Sequence, residues 1–194
     1  MMDDVAPDRI LQLGAAFRES KTLLSAVELG LFTELAEHGP STASAIEAAL
    51  GLHPGARATY DFLDALVALG MLTREGGGPS GRYANTPASA AFLDRASPRY
   101  IGGILEMANA RLYPFWGDLT EALKTAKPQN EIKHSGKPVF EELYADPARL
   151  EQFMEAMVGA SSGNFAAFTE TFDFSGFKTM ADIGGATGQL SCFV

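Results

Sequence analysis

Residues 54–86, PGARATYDFLDALVALGMLTREGGGPSGRYANT, decide how this chain folds. Phe62, Leu63, Leu66, Val67 and Leu69 recur at helical spacing and make one strong apolar face. Gly70 stands at the position where helices end in a left-handed turn. The following residues, MLTREGGGPSGRYANT (71–86), place two short segments on either side of a glycine cluster that cannot hold a helix, which predicts strand, turn, strand.

The sequence upstream of this helix and hairpin supplies two more helices. From Arg9 to Glu37 the residues Ile10, Leu13, Phe17, Leu24, Val27, Leu31 and Leu35 follow a helical period with one buried stripe, and Gly14 and Gly30 allow a division in two. HGPSTASAIEAALG (38–51) then offers a stop and a new start, with Ser44 and Glu47 at capping-box spacing and Gly51 as the close. Three helices followed by a hairpin are the plan of a winged helix.

Such a fold often reads DNA through its third helix, but the charges oppose it here. Residues 1–95 carry seven Lys or Arg against twelve Asp or Glu, a balance of 7 − 12 = −5. The third helix offers Arg57 beside Asp61 and Asp64, so phosphates would be repelled more than neutralised. The expectation is protein contact through a homodimer, with no nucleic acid as partner.

Composition sets wider bounds. The chain has 194 residues, 46% of them hydrophobic and 20% charged, enough to bury a core. A net charge of −9 disfavours nucleic acid and anionic lipid as partners and leaves small molecules or protein. One cysteine, Cys192, gives no internal disulfide and no zinc site, and fits a reducing compartment. The start MMDDVAPDRI lacks a secretory pattern, and no stretch approaches the roughly 18 apolar residues of a membrane span. The expected location is cytoplasmic, away from any membrane.

Residues 96–175 read as mainly helical. Ile101, Ile104, Leu105, Leu112, Phe115, Leu119 and Leu123 keep helical spacing, with a break or kink at Pro114. KPQNEIKHSGKP (127–138) reads as a polar loop, and helix resumes from Val139, with Phe153, Met157 and Phe165 on related faces. His134 lies in that polar loop and is not expected to act as a general base; His38 and His53 read as solvated turn residues. No carboxylate pair or metal cluster stands out.

The tail, KTMADIGGATGQLSCFV (178–194), places Asp182 before Gly184, Gly185 and Gly188, as expected where a first parallel strand hands over to a helix. The dinucleotide fingerprint does not fit, because Ile183 stands where its first glycine belongs, and no Lys-Ser or Lys-Thr pair follows to make a P-loop. The remaining pattern, acid-x-Gly-x-x-x-Gly, is either a ligand loop or a tight strand-to-helix turn.

An ordered set of fragments goes further: LGLF (29–32), LDALVALGML (63–72), YANTPASAAFL (83–93), FEELYADP (140–147), FMEAM (153–157) and FDFSGFKTMADIGGATG (172–188). From about Leu24 to Gly188 the chain resembles the N-terminal part of the S-adenosylmethionine-dependent O-methyltransferases of the caffeic acid type. The resemblance implies a mainly α chain: a winged-helix-like dimerisation domain (1–95), a helical substrate-pocket segment (96–175), and the first strand and loop of a truncated Rossmann-like α/β domain (176–194). It implies S-adenosylmethionine as cofactor, bound around Asp182, Gly184, Gly185 and Gly188. Ala186 replaces the middle glycine of the family's usual loop.

Phe153, Met157 and Ser161 match the family's F-x-x-x-M-x-x-x-S helix, with Met157 and Ser161 implied beside the cofactor and Phe153 beside the acceptor. Met107, Asn109, Tyr113 and Trp116 fall where the family builds the pocket for a small aromatic or polyketide-like hydroxyl acceptor. Core packing is the competing reading for all of these except Ser161, which reads otherwise as a polar helix position. The family's catalytic histidine, and the acid that holds the cofactor ribose about twenty residues past the glycine loop, are expected beyond Val194. No catalytic residue is therefore expected among these 194 residues, and this portion is expected to be inactive alone. The alternative expectation is a non-catalytic winged-helix interaction module.

Overall fold

The computed structural model describes residues 6–55 and 57–194, except for the side chain of His134. The chain divides between Ala90 and Ala91 into two compact units.

In the first unit, α1 (Asp8–Glu28) and α2 (Leu31–His38) are separated at Gly30, whose φ of 72° no other residue type adopts as readily. The two helices expected as possible are therefore both present. Strand β1 (Ser41–Thr42) follows, then α3 (Ala43–Ala49), α4 (Arg57–Ala68), β2 (Leu72–Glu75) and β3 (Arg82–Asn85). The strands form one antiparallel sheet in the order β1-β3-β2, with Leu72 opposite Asn85 and Arg74 opposite Tyr83. At the end of α4, the Met71 amide donates to Leu66 O and the Gly70 amide to Val67 O, both at 2.9 Å, so Gly70 closes the helix as its position predicts.

Two local expectations are corrected. The cap of α3 is Thr42, whose Oγ1 accepts from the Ala45 amide at 3.3 Å, not Ser44. Glu47 is instead buried and accepts from the Gly55 amide at 2.9 Å, which ties the loop after α3 to that helix. The apolar stripe of α1 is also only half used. Leu24 and Val27 join Leu31, Phe32 and Leu35 in the core, whereas Ile10, Leu13 and Phe17 are 75%, 67% and 57% exposed.

Period alone cannot tell a face buried within the chain from one left open, and here the first half of α1 is open.

The inner face of the sheet carries Leu72, Arg74, Tyr83 and Asn85, because alternate residues of a strand share a face. Leu72 and Tyr83 are buried. Asn85 Nδ2 donates to Phe32 O at 2.7 Å, and Arg74 Nη1 donates to both carboxylate oxygens of Asp64 at 2.8 and 2.9 Å. The acid that weakens α4 as a DNA-reading helix thus anchors the hairpin.

Helix α5 (Pro87–Phe92) spans the division between the units. The second unit is helical: α6 (Gly102–Met107), a π-helical turn (Ala108–Leu112), α7 (Tyr113–Trp116), α8 (Leu119–Thr125), α9 (Glu131–Ser135), α10 (Val139–Ala145), α11 (Pro147–Thr171) and α12 (Gln189–Phe193). The break expected at Pro114 takes the form of that π turn. Proline lacks the amide that would donate back one turn and its ring crowds that carbonyl, and the wider turn absorbs both. Asp146 caps α11, its Oδ1 accepting from the Ala148 and Arg149 amides, with Pro147 at the first helical position.

Helices α6 and α11 cross closely because their contact residues are small. A Cβ on Gly103 would lie 3.1 Å from the Glu155 backbone and one on Gly159 3.2 Å from Ile101 Cα, with Ala156 fully buried between them. The residues expected as a strand, 179–183, pair with no other strand among the described residues, and Ile183 is 97% exposed. An isolated strand leaves its backbone groups without a ladder, so the segment stays irregular. The expected polar loop at 127–138 contains α9, started by Asn130, whose side chain accepts from the Ile132 amide. Among the described residues no helix is long and apolar enough to cross a membrane.

Candidate functional site

The second unit contains a cavity of about 300 Å³ between the α6–α7 segment, α10 and α11. Met107, Pro114, Phe115, Leu143 and Phe153 give it an apolar wall, and Arg111, Arg149 and Gln152 give it a polar one. Of the expected acceptor residues, Met107 and Phe153 meet here. Asn109 is buried in the π turn one position before Ala110, which lines the cavity, and Tyr113 is half-buried at the start of α7. Trp116 is 67% exposed and lines a separate hollow of about 190 Å³ with Leu112 and Leu119; Phe115 belongs to both walls.

Glu131 organises the polar wall. It is 7% exposed and accepts from Arg111 Nε, from Arg111 Nη2 at 3.2 Å and from Arg149 Nη2 at 2.9 Å. Burial by itself would raise the pKa of its carboxyl, but the Arg111 hydrogen bonds, with the charges of both arginines, outweigh it and hold the pKa below the usual glutamate range. Sequence reasoning missed this cluster. Its members stand 18 and 20 residues apart, and Glu131 sits in a segment with no apolar period to mark it as buried.

Along α11, Phe153, Met157 and Ser161 follow one another at four-residue steps and so share a ridge. Met157 and Ser161 are half-buried. Beside this ridge a larger hollow of about 690 Å³ is lined by Tyr100, Glu106, Met154, Val158 and Ser162 on one side, and by Thr187 and Gln189 of the glycine turn on the other. Gln189 Nε2 donates to Ser162 Oγ at 2.6 Å and pins the start of α12 to α11. Glu106 Oε1 accepts from Tyr100 at 2.8 Å and from Arg95 Nη2 at 2.7 Å.

The turn itself is tight. Gly184 and Gly188 have φ of 77° and 71°, and the Gly188 amide donates to Gly185 O at 2.6 Å. The exposed Asp182 carboxylate folds over Gly185 so closely that a Cβ there would lie 2.3 Å from Oδ2. Ala186 also adopts a left-handed conformation, φ 48°, where glycine is least strained. The turn therefore offers bare backbone beside one carboxylate.

Comparisons with known proteins align with both units. Residues 11–95 match the O-methyltransferase dimerisation domain and residues 116–193 the O-methyltransferase domain. The tetracenomycin polyketide synthesis 8-O-methyl transferase TcmO of Streptomyces glaucescens is 42% identical over 185 residues, covering 95% of this chain and 52% of its own. The N,N-dimethyltransferase OxyT of Streptomyces rimosus is 38% identical over 183 residues, covering 94% and 51%. The structure of human N-acetylserotonin methyltransferase in complex with SAM superposes with a TM-score of 0.87 at 30% identity, over 99% of this chain and 56% of that one. The chain spans about half the length of the curated relatives it matches.

Proposed function

This chain belongs to the O-methyltransferase family, and we propose that it supplies the dimerisation domain and much of the acceptor pocket of an enzyme that methylates a hydroxyl on a small aromatic or polyketide-like molecule, with S-adenosylmethionine as methyl donor. The observation that carries this reading is the ridge Phe153, Met157, Ser161 on α11. It starts at the apolar cavity and continues along the helix to which Gln189, the residue after Gly188, is bonded through Ser162.

The residues around the turn fit the cofactor. S-adenosylmethionine supplies a methyl carbon activated on a cationic sulfur and carries an ammonium group. Asp182 offers a carboxylate to those positive charges, Gly185 makes room for that carboxylate by lacking a Cβ, and Gly184 and Gly188 leave open backbone on either side. Met157 and Ser161 would hold the α11 side of the same ligand. Met107, Asn109, Tyr113, Trp116 and Phe153 would shape and orient the acceptor, with its hydroxyl oxygen directed at the methyl carbon.

The oxygen must give up its proton as it takes the methyl group. Among the described residues no Asp, Glu or His lines this cavity, and a guanidinium offers donors but no acceptor. On this reading the group that takes the proton stands outside this cavity's wall, and the chain by itself is expected to transfer no methyl group. It associates as a homodimer through the first unit, whose α1 exposes Ile10, Leu13 and Phe17.

A transfer assay with labelled S-adenosylmethionine and hydroxynaphthalenes tests this reading. It is run on the chain and on a chimera joining it to the second half of TcmO. The chimera should methylate oxygen and the chain alone should not. A folded chimera that transfers nothing, or that methylates only amines as the name of OxyT describes, would refute it.

A further inference from the structure

The cavity of the second unit carries more positive charge than the carboxylate behind it balances. Arg111 and Arg149 both line it, and Glu131, buried behind them, contributes one negative charge, leaving 2 − 1 = +1. No Asp or Glu is among the lining residues; the remaining wall is apolar apart from Gln152. This excess is found in a chain whose net charge is −9. A guanidinium presents several N–H donors in a planar fork, and Glu131 accepts three hydrogen bonds from the pair. Glu131 takes two N–H groups of Arg111 and one of Arg149 and fixes where the pair stands, while the side chain of Arg149 is 40% exposed and that of Arg111 23%, so further donors are left on both cavity-lining arginines. A guanidinium pair held in place by a buried acid, facing an apolar slot, is suited to a planar anion on an aromatic body.

We propose that Arg111 and Arg149 form an anion-recognising edge of this cavity, selecting hydroxylated aromatic acceptors that carry a carboxylate. The proposal rests on the reading of the cavity as the acceptor pocket and adds the substrate class. Glu131 is a positioning residue within it, since it touches both arginines and does not line the cavity.

The test uses two ligands of the same shape, 3-hydroxy-2-naphthoate and uncharged 3-hydroxy-2-naphthamide, titrated into the unmodified chain and into R149Q while the Met107 methyl resonance is followed. The naphthoate should bind at least about tenfold more tightly, the scale of one charge-assisted hydrogen bond. In R149Q the ratio of the two affinities should shrink severalfold, whatever the change in the affinity for the amide. Equal binding of the two ligands by the unmodified chain would overturn the anion edge and leave the acceptor pocket standing. A preference that survives intact in R149Q would overturn the assignment to Arg149. Failure of both ligands to shift Met107 would remove the acceptor-pocket reading and this inference with it.

Discussion

The Tyr83 hydroxyl donates to Asp64 Oδ1 at 2.8 Å, joining β3 to α4 across the inner face of the hairpin. Asp64 also accepts from Arg74 Nη1, and Arg74 stacks over the Tyr83 ring with its guanidinium carbon 5.1 Å from the centroid. Removing the acid leaves the buried Tyr83 hydroxyl without its acceptor and the half-buried Arg74 guanidinium with its bond to Gly78 O alone. Asp64→Ala should lower stability in urea by about 1–3 kcal/mol, whereas Asp61→Ala, on the exposed side of the same helix, should change it by less than about 0.5 kcal/mol.

Alkaline conditions address the same contact. Burial, and then the hydrogen bond to Asp64, push the Tyr83 hydroxyl up to about 12; burial and Glu106 do the same for Tyr100. A phenol whose pKa is higher folded than unfolded contributes stability that is complete below pH 10 and declines as pH rises towards 12. Chemical melts across that window should show the decline, and Tyr83→Phe should make it shallower. A curve that Tyr83→Phe leaves unaltered would contradict the assignment.

The crossing of α6 and α11 has no room for added atoms. Gly103→Ala and Gly159→Ala place a methyl group within 3.1 and 3.2 Å of facing backbone. Each should cost about 1–3 kcal/mol by urea unfolding. Gly163→Ala, with open space around its Cβ position on the same helix, should be neutral or slightly stabilising.

Legibility in the sequence tracked how local each determinant is. The α4–hairpin segment was readable because helix period, Gly70 and the turn cluster all act within a few residues. Gly30 likewise marks the break between α1 and α2. The α3 cap is Thr42 and not Ser44 because the helix begins at Ala43, which leaves Ser44 inside its first turn, and only backbone geometry separates two hydroxyls so close in sequence. The buried Glu131 cluster was invisible, since what keeps a carboxylate inside is a pair of arginines distant in sequence. For the site, the resemblance named Met107 and Phe153, which the fold brings to one cavity, while Trp116 stands on the neighbouring hollow.

Self-association should depend on the open half of α1. Ile10, Leu13 and Phe17 keep helical spacing and are more than half exposed within one chain. A double substitution, Leu13→Asp with Phe17→Glu, should convert a dimer to a monomer in sedimentation equilibrium while the melting of the core stays within a few degrees of the parent. A dimer that persists would place the interface elsewhere.

If the turn at 182–188 holds S-adenosylmethionine, as proposed, titration of S-adenosylhomocysteine into the labelled chain will show it in the backbone amide resonances. Saturable shifts should occur at Gly184, Gly185 and Gly188, spread to Met157 and Ser161 on α11, and be strongly weakened in Asp182→Ala. No shift at ligand saturation of the solution, or shifts confined to other surfaces and indifferent to Asp182→Ala, would contradict it.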